Sequence, residues 1–217
     1  MTNPLEEHDA FLKTKLDFVL GRLATAMRAE NWSAFGAEGL NPTQGQVLEL
    51  LERRSEPLRL SLIADELAVT AASLSDSVGA LERKGLLKKG RDKTDGRALA
   101  VSLTSKGMRL LKRVGDEERA MLAAVGQLRE KDQIALYGLL LKLLRALQET
   151  SGMPVVRMCL TCEYFRPNAH VDSEQPHHCA LVDAPFGDRL LRSDCPDHQP
   201  ANAALAEQNW RAFAMND

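Results

Sequence analysis

One stretch constrains this chain more than any other. Residues 60–104, LSLIADELAVTAASLSDSVGALERKGLLKKGRDKTDGRALAVSLT, hold two short helical patterns, a hairpin pattern and a run of positive charge. Leu62, Ile63 and Leu67 are the apolar positions of a first helix over residues 61–67. Ala68, Val69 and Thr70 follow as a turn, with Thr70 where the next helix needs its cap. Leu74, Val78 and Leu81 then give a second helix over residues 71–84 one buried stripe. Ser73, Ser75, Asp76 and Ser77 fall on the faces turned away from it. Short polar side chains let a helix approach base edges closely, and a helix about 12 Å across fits the major groove. Gly85 supplies the left-handed cap that stops this helix.

Residues 86–89 and 98–103 read as two strands, with Lys93-Thr94-Asp95-Gly96 as the turn between them. Arg91, Lys93 and Arg97 put three cations near the tip, where a hairpin can reach phosphates or a minor groove. Lys89 lies on the first strand, and Asp95 is placed to orient Arg97. Residues 71–113 hold eleven Lys and Arg against four acids, in a chain whose net charge is −2. The positive charge is therefore concentrated in one segment rather than spread for solubility. Together these features predict a winged helix-turn-helix that binds double-stranded DNA.

Gln46-Val47-Leu48, the apolar Leu62, Ile63 and Leu67, Leu81-Glu82-Arg83-Lys84-Gly85-Leu86, Asp95-Gly96-Arg97 and Leu103-Thr104-x-x-Gly107 together resemble the MarR family of bacterial transcriptional regulators. The resemblance covers about residues 5–150. It implies a homodimer with two winged helices on a pseudo-palindromic operator, acting as a repressor and responding to a small molecule, a metal or oxidation. It also implies that Ala72, Ser73, Ser75 and Asp76 face the major groove and that Arg97 serves the wing; Thr70, at the cap, is a further DNA-binding candidate. Asp76 departs from the arginine common in the family; an acid accepts from cytosine and repels phosphate, which alters the operator preference.

Elsewhere in this part of the chain, Phe11, Leu12, Leu16, Val19, Leu20, Leu23 and Met27 predict a long amphipathic helix over residues 5–30. Residues 31–40 read as a loop or broken helix, with Trp32 and Phe35 as core or pocket residues. Asn41-Pro42 starts a helix in cap-then-proline order. Thr104 caps another, over about residues 105–125. Residues 130–150 are apolar nearly all round, which calls for cover from several sides; a second copy of the chain supplies it through the first helix and the last two of this region. No apolar run is long enough to span a membrane and residues 1–7 lack a signal-peptide pattern, so a bacterial-type cytoplasm is expected.

Past Ser151-Gly152-Met153-Pro154 the composition changes. Residues 155–200 hold all four cysteines, four of the five histidines and five of the nine prolines. With few core-forming residues, such a segment needs a staple. Cys159, Cys162, Cys179 and Cys195 form C-x2-C-x16-C-x15-C, and in a reducing compartment four thiols point to a metal centre. The spacing, with Tyr164, Phe165, Leu181 and Phe186 as an apolar shell, resembles the small high-potential iron protein fold around a [4Fe-4S] cluster; zinc on the same ligands is the alternative. His178 is a second-sphere or substitute ligand, and the other histidines lie at the surface or behind the ligands. Leu205, Trp210 and Phe213 predict a closing helix.

The expected fold is mainly α with a small β-hairpin wing: a dimerisation and winged-helix domain over 1–150, a small irregular Cys-rich metal-binding module over 155–200, and a packing helix over 200–217. The expected function is a DNA-binding regulator whose metal or iron-sulfur module senses redox state or metal. A structural zinc site with an organic effector, and a metal-dependent enzyme fused to a DNA-binding domain, are the other readings. The chain shows no general-base constellation, phosphate loop or open three-ligand metal site, so it is not expected to be an enzyme.

Overall fold

The computed structural model describes residues 12–92, 95, 98–116, 119–151 and 156–214. Expectations for residues 5–11, for Lys93, Thr94, Gly96 and Arg97, and for the break at 152–154 lie outside them. The chain forms two compact units, one of Met1–Leu60 with Ala72–Gly126 and the other of Ser61–Ala71 with Gln127–Asp217. Among the described residues no helix is long and apolar enough to cross a membrane.

The first unit opens with α1 (Leu12–Gly36) and α2 (Pro42–Arg54). The expected loop at 31–40 is a correction: α1 runs on to Gly36. Phe35 is fully buried while Trp32 is 62 % exposed, so the two aromatics share no pocket. Gly45 of α2 is what admits Phe35, since a Cβ there would collide with the ring. Asn41 and Gln44 form a capping box at the start of α2, each side chain accepting from the other's backbone N–H. Ser55 ends the helix in the left-handed region.

After α2 come β1 (Leu58–Arg59), α3 (Leu60–Glu66), which from Ser61 on falls in the second unit, and α4 (Ala71–Arg83). The hairpin is β2 (Leu87–Arg91) and β3 (Leu99–Leu103), and β3 lies between β1 and β2 in an antiparallel sheet. Gly85, at a φ of 67°, closes α4, and the Leu86 N–H returns to the Leu81 carbonyl in the bond of a Schellman cap. Thr104 then joins hairpin to helix. Its hydroxyl donates to the Gly85 carbonyl at 2.7 Å and accepts from the Gly107 N–H at 3.1 Å, capping α5 (Ser105–Asp116). The single helix expected to continue to about 125 is two, with α6 at Ala120–Gly126.

The second unit contains α7 (Glu130–Ser151) and α8 (Ala203–Ala214). Between them an antiparallel sheet, β4 (Phe165–Arg166), β5 (His177–Cys179) and β6 (Ala184–Phe186), has β5 in the middle. This corrects the expectation of an irregular module short of core. Leu141, Met158, Leu160, Phe165, Leu191 and Phe213 form a buried cluster of their own. Asn209 donates to the Phe165 carbonyl at 2.8 Å, and Tyr137 to that of Leu191 at 3.0 Å. Arg145, 4 % exposed, reaches the Leu160 and Ala206 carbonyls, pairs with Glu149 and lies over the Trp210 ring. Apolar packing and buried hydrogen bonds therefore do the work assigned to a metal staple.

A Cβ at residue 107 would run into the Leu86 carbonyl oxygen, whereas one at Gly115 meets nothing. Gly107→Ala is expected to cost about 1–3 kcal/mol and Gly115→Ala to be neutral or slightly stabilising. Urea unfolding of both variants checks this, and equal midpoints would show that the junction yields freely.

Candidate nucleic-acid interface

Two elements of the first unit present the candidate surface. Helix α4 buries Leu74, Val78 and Leu81 and exposes Ala72, Ser73, Ser75 and Asp76. Exposure at 72, 75 and 76 puts these residues on one helical face, and none carries a long side chain. Thr70, just before the helix, is exposed as well. Ser77 is a correction to the sequence reading, since it is 7 % exposed and belongs to the buried side. Leu62, counted among the apolar positions of the first helix, is 43 % exposed, while Ile63 is fully buried.

In β2 only Leu87 is buried; Lys88, Lys89, Gly90 and Arg91 are all exposed. The reason is topological. β2 is an edge strand, with β1 on the far side of β3 opposite Lys89 and Gly90, and the Arg91–Leu99 pair runs on beyond β1 as a two-stranded ribbon. Its base is held by a residue the sequence reading passed over. Asp92 accepts from the Asp95 N–H at 2.8 Å and from Arg59 of β1 at 3.0 Å, and its own N–H donates to the Ala98 carbonyl. Arg59 is 33 positions away along the chain, so no local spacing marks the pair. The described backbone of Asp95 belongs to this turn, its carbonyl accepting from the Ala98 N–H.

Not every cation in the basic run points outward. Lys89 pairs with Glu82 at 2.8 Å, Lys84 donates to the Gly39 carbonyl, and Lys106 donates to the Lys84 carbonyl at 2.8 Å. Cations at the carbonyl end of α4 also complement its dipole. Part of the charge surplus thus ties the unit together, leaving Lys88 and Arg91 as exposed cations of the ribbon.

Residues 40–107 match the model of a winged helix DNA-binding domain. Along 128 residues the chain is 28% identical to the HTH-type transcriptional regulator MhqR of Bacillus subtilis, covering 59% of this chain and 88% of that one. Among solved structures, MepR of S. aureus in its DNA-binding conformation is similar at 25% identity and a TM-score of 0.54, over 61% of this chain and 98% of MepR. A probable transcriptional regulator from Pseudomonas aeruginosa is similar at 29% identity and a TM-score of 0.51, over 61% of this chain and 99% of its own.

The cysteines sit in the second unit. Cys159 opens a short 3-10 turn, Cys162 follows it, Cys179 ends β5, and Cys195 comes from the loop before α8. All four line one cavity of about 300 Å³ with Tyr164, Phe165, Leu181 and Phe186. A single ion needs thiolates about 2.3 Å from one point. Among the described residues no group of three or more His, Cys, Asp or Glu is placed to hold a metal ion. This overturns the expected [4Fe-4S] cluster, the zinc alternative and the likeness to high-potential iron proteins. With them goes the metal- or redox-sensing role.

His178 is engaged elsewhere. Neighbours on a strand point to opposite faces, and His178 turns from Cys179 towards His170 and Asp183, each at 3.2 Å. His177, expected at the surface or behind ligands, is 2 % exposed among Phe165, Phe186 and Phe213. Its Nδ1 accepts from the Asn168 N–H, so Nε2 carries the proton and donates to Asp188 at 2.8 Å. Asp194 pairs with Arg157 at 2.7 Å, and His198 meets the Thr161 hydroxyl at 3.0 Å.

Burial, reinforced by the other three cysteines, pushes the Cys159 thiol up to about 11, although the Arg192 N–H donated to its sulfur pulls the other way. A raised thiol stabilises the fold fully below the unfolded value near 9.0, and that contribution is lost as pH rises towards 11. In a Trp32→Phe background, where Trp210 reports this unit, stability should fall by up to about 2 kcal/mol between pH 8 and 10.5. Cys159→Ala should flatten that fall, and an equal slope in both proteins would remove Cys159 as its source.

Proposed function

We propose that the chain is a MarR-type, homodimeric transcriptional regulator that binds double-stranded DNA. The observation that carries this reading is the exposed, short-chained face of α4 beside a two-stranded ribbon bearing Lys88 and Arg91. The likeness to MepR in its DNA-binding conformation supports it. Ala72, Ser73, Ser75 and Asp76 read base edges in the major groove, Thr70 contacts backbone at the helix entry, and Lys89, Arg91, Lys93 and Arg97 serve phosphates or the adjacent minor groove. Lys89 contributes least, being paired with Glu82. Asp76 favours cytosine N4 donors and keeps α4 from close approach to phosphate.

Dimerisation is part of this proposal. Helix α1 exposes Leu12, Leu16, Val19, Leu23 and Met27 at helical spacing, and α7 exposes Leu136, Leu140, Leu143 and Leu147. Apolar stripes of this length on helices are surfaces for a partner, and a two-fold partner presents a second α4 to the next major groove about 34 Å away. The operator is then pseudo-palindromic. The chain works by occupying DNA and not by catalysis.

An operator selected from a random duplex library tests the reading, and failure to enrich any sequence would sink it. Arg91→Ala should weaken binding of the selected duplex and lower the salt slope by about 1, with the preferred sequence unchanged. Asp76→Ala should instead change which base is preferred at one position in each half-site. Leu23→Glu should shift the protein from dimer to monomer in sedimentation and lower DNA affinity with it; a monomeric variant that binds with full affinity would separate the two functions.

A further inference from the structure

The four-cysteine cavity has a use that its failure to hold an ion leaves open. It encloses about 300 Å³, roughly twice the 150 Å³ in which an apolar protein cavity holds benzene, and at the lower end of the range of small-molecule sites. Tyr164, Phe165, Leu181 and Phe186 supply apolar and aromatic wall, and sulfur makes favourable contacts with aromatic rings. Arg192 and Asp197, both exposed, also line it and are of opposite charge, so they favour no net charge in a guest while offering a donor and an acceptor. We propose that this cavity is a binding site for a small, uncharged aromatic molecule of about two rings carrying a hydroxyl or similar group.

One wall of the cavity is anchored in the core of the unit. Phe165 and Cys162, which line the cavity, also belong to the buried cluster with Leu141 of α7 and Phe213 of α8. Any effect of such a guest on DNA rests on the regulator reading above; binding itself does not.

Titration of 2-naphthol into the full-length chain without DNA, followed by its fluorescence, tests the site. Saturable binding with a Kd of about 0.1–1 mM is expected for a ligand of this size. Ala184→Phe places a ring in the cavity and should weaken binding at least about tenfold, with helical circular dichroism retained. Leu181→Trp, at a position 45 % exposed and so tolerant of bulk, should do the same. Absence of saturable binding, or equal binding by both variants and the parent, overturns the proposal. So does stoichiometric iron with sulfide, or zinc, in the purified chain, since either would occupy the same space. Because no DNA is present, failure here and failure of operator selection are separate results.

Discussion

The contact between Thr104, Gly85, Leu86 and Gly107 is the constraint on which the candidate interface depends. Within a few ångströms it ends α4, starts the hairpin and caps α5. A glycine is required at 107 because the Leu86 carbonyl occupies the place of its Cβ, and a left-handed residue is required at 85 to turn the chain. The junction between α4 and the hairpin is fixed there. Asp92 and Arg59 repeat the principle at the far end of the sheet, where one carboxylate organises a turn and an ion pair together. Specific polar geometry at two points frees the exposed parts of α4 and β2 from holding the fold together.

The second unit is held differently. Its strands are two or three residues long, too short for ladder hydrogen bonds to define it. Definition comes from side chains that cross between elements, above all Arg145 and His177. Arg145 brings a guanidinium into the interior, where two carbonyls, a carboxylate and an indole face meet its terminal nitrogens and plane while its buried Nε has no hydrogen-bond partner. Burying a cation is tolerable only with such compensation, which makes Arg145 a determinant of arrangement more than a source of net stability.

Much of the first unit was legible because its signals are local. Asn41-Pro42, Gly85 and Thr104 are cap chemistries that read the same in a sequence as in a fold, and α4 lies within a residue of its expected span. Where packing decides, local pattern failed. Residues 31–36 look like loop because Asn, Ser and Gly are weak helix formers, yet burial of Phe35 against Gly45 carries α1 through them. Ser77 reads as polar surface but lies between Leu74 and Val78 on the inward side. The cysteines misled for a related reason. Spacing tells which thiols can meet, and four in one segment suggest one centre, but strand and turn geometry spread them around a cavity wall. The core that makes a staple unnecessary draws on Leu141 and Phe213, which flank the segment and are invisible to its own composition.

That dependence on flanking helices bears on how the chain is made. Phe213 and Asn209 close the second unit's core from α8, while Leu141 and Arg145 wait on α7, some sixty to seventy residues earlier in synthesis. The first unit has its last helix by Gly126 and can fold while the ribosome is still translating. The second cannot close until residue 213 has emerged. Until then α7 carries its apolar positions uncovered, so nascent chains of this protein pass through an interval in which the half-made unit is a substrate for chaperones and for aggregation.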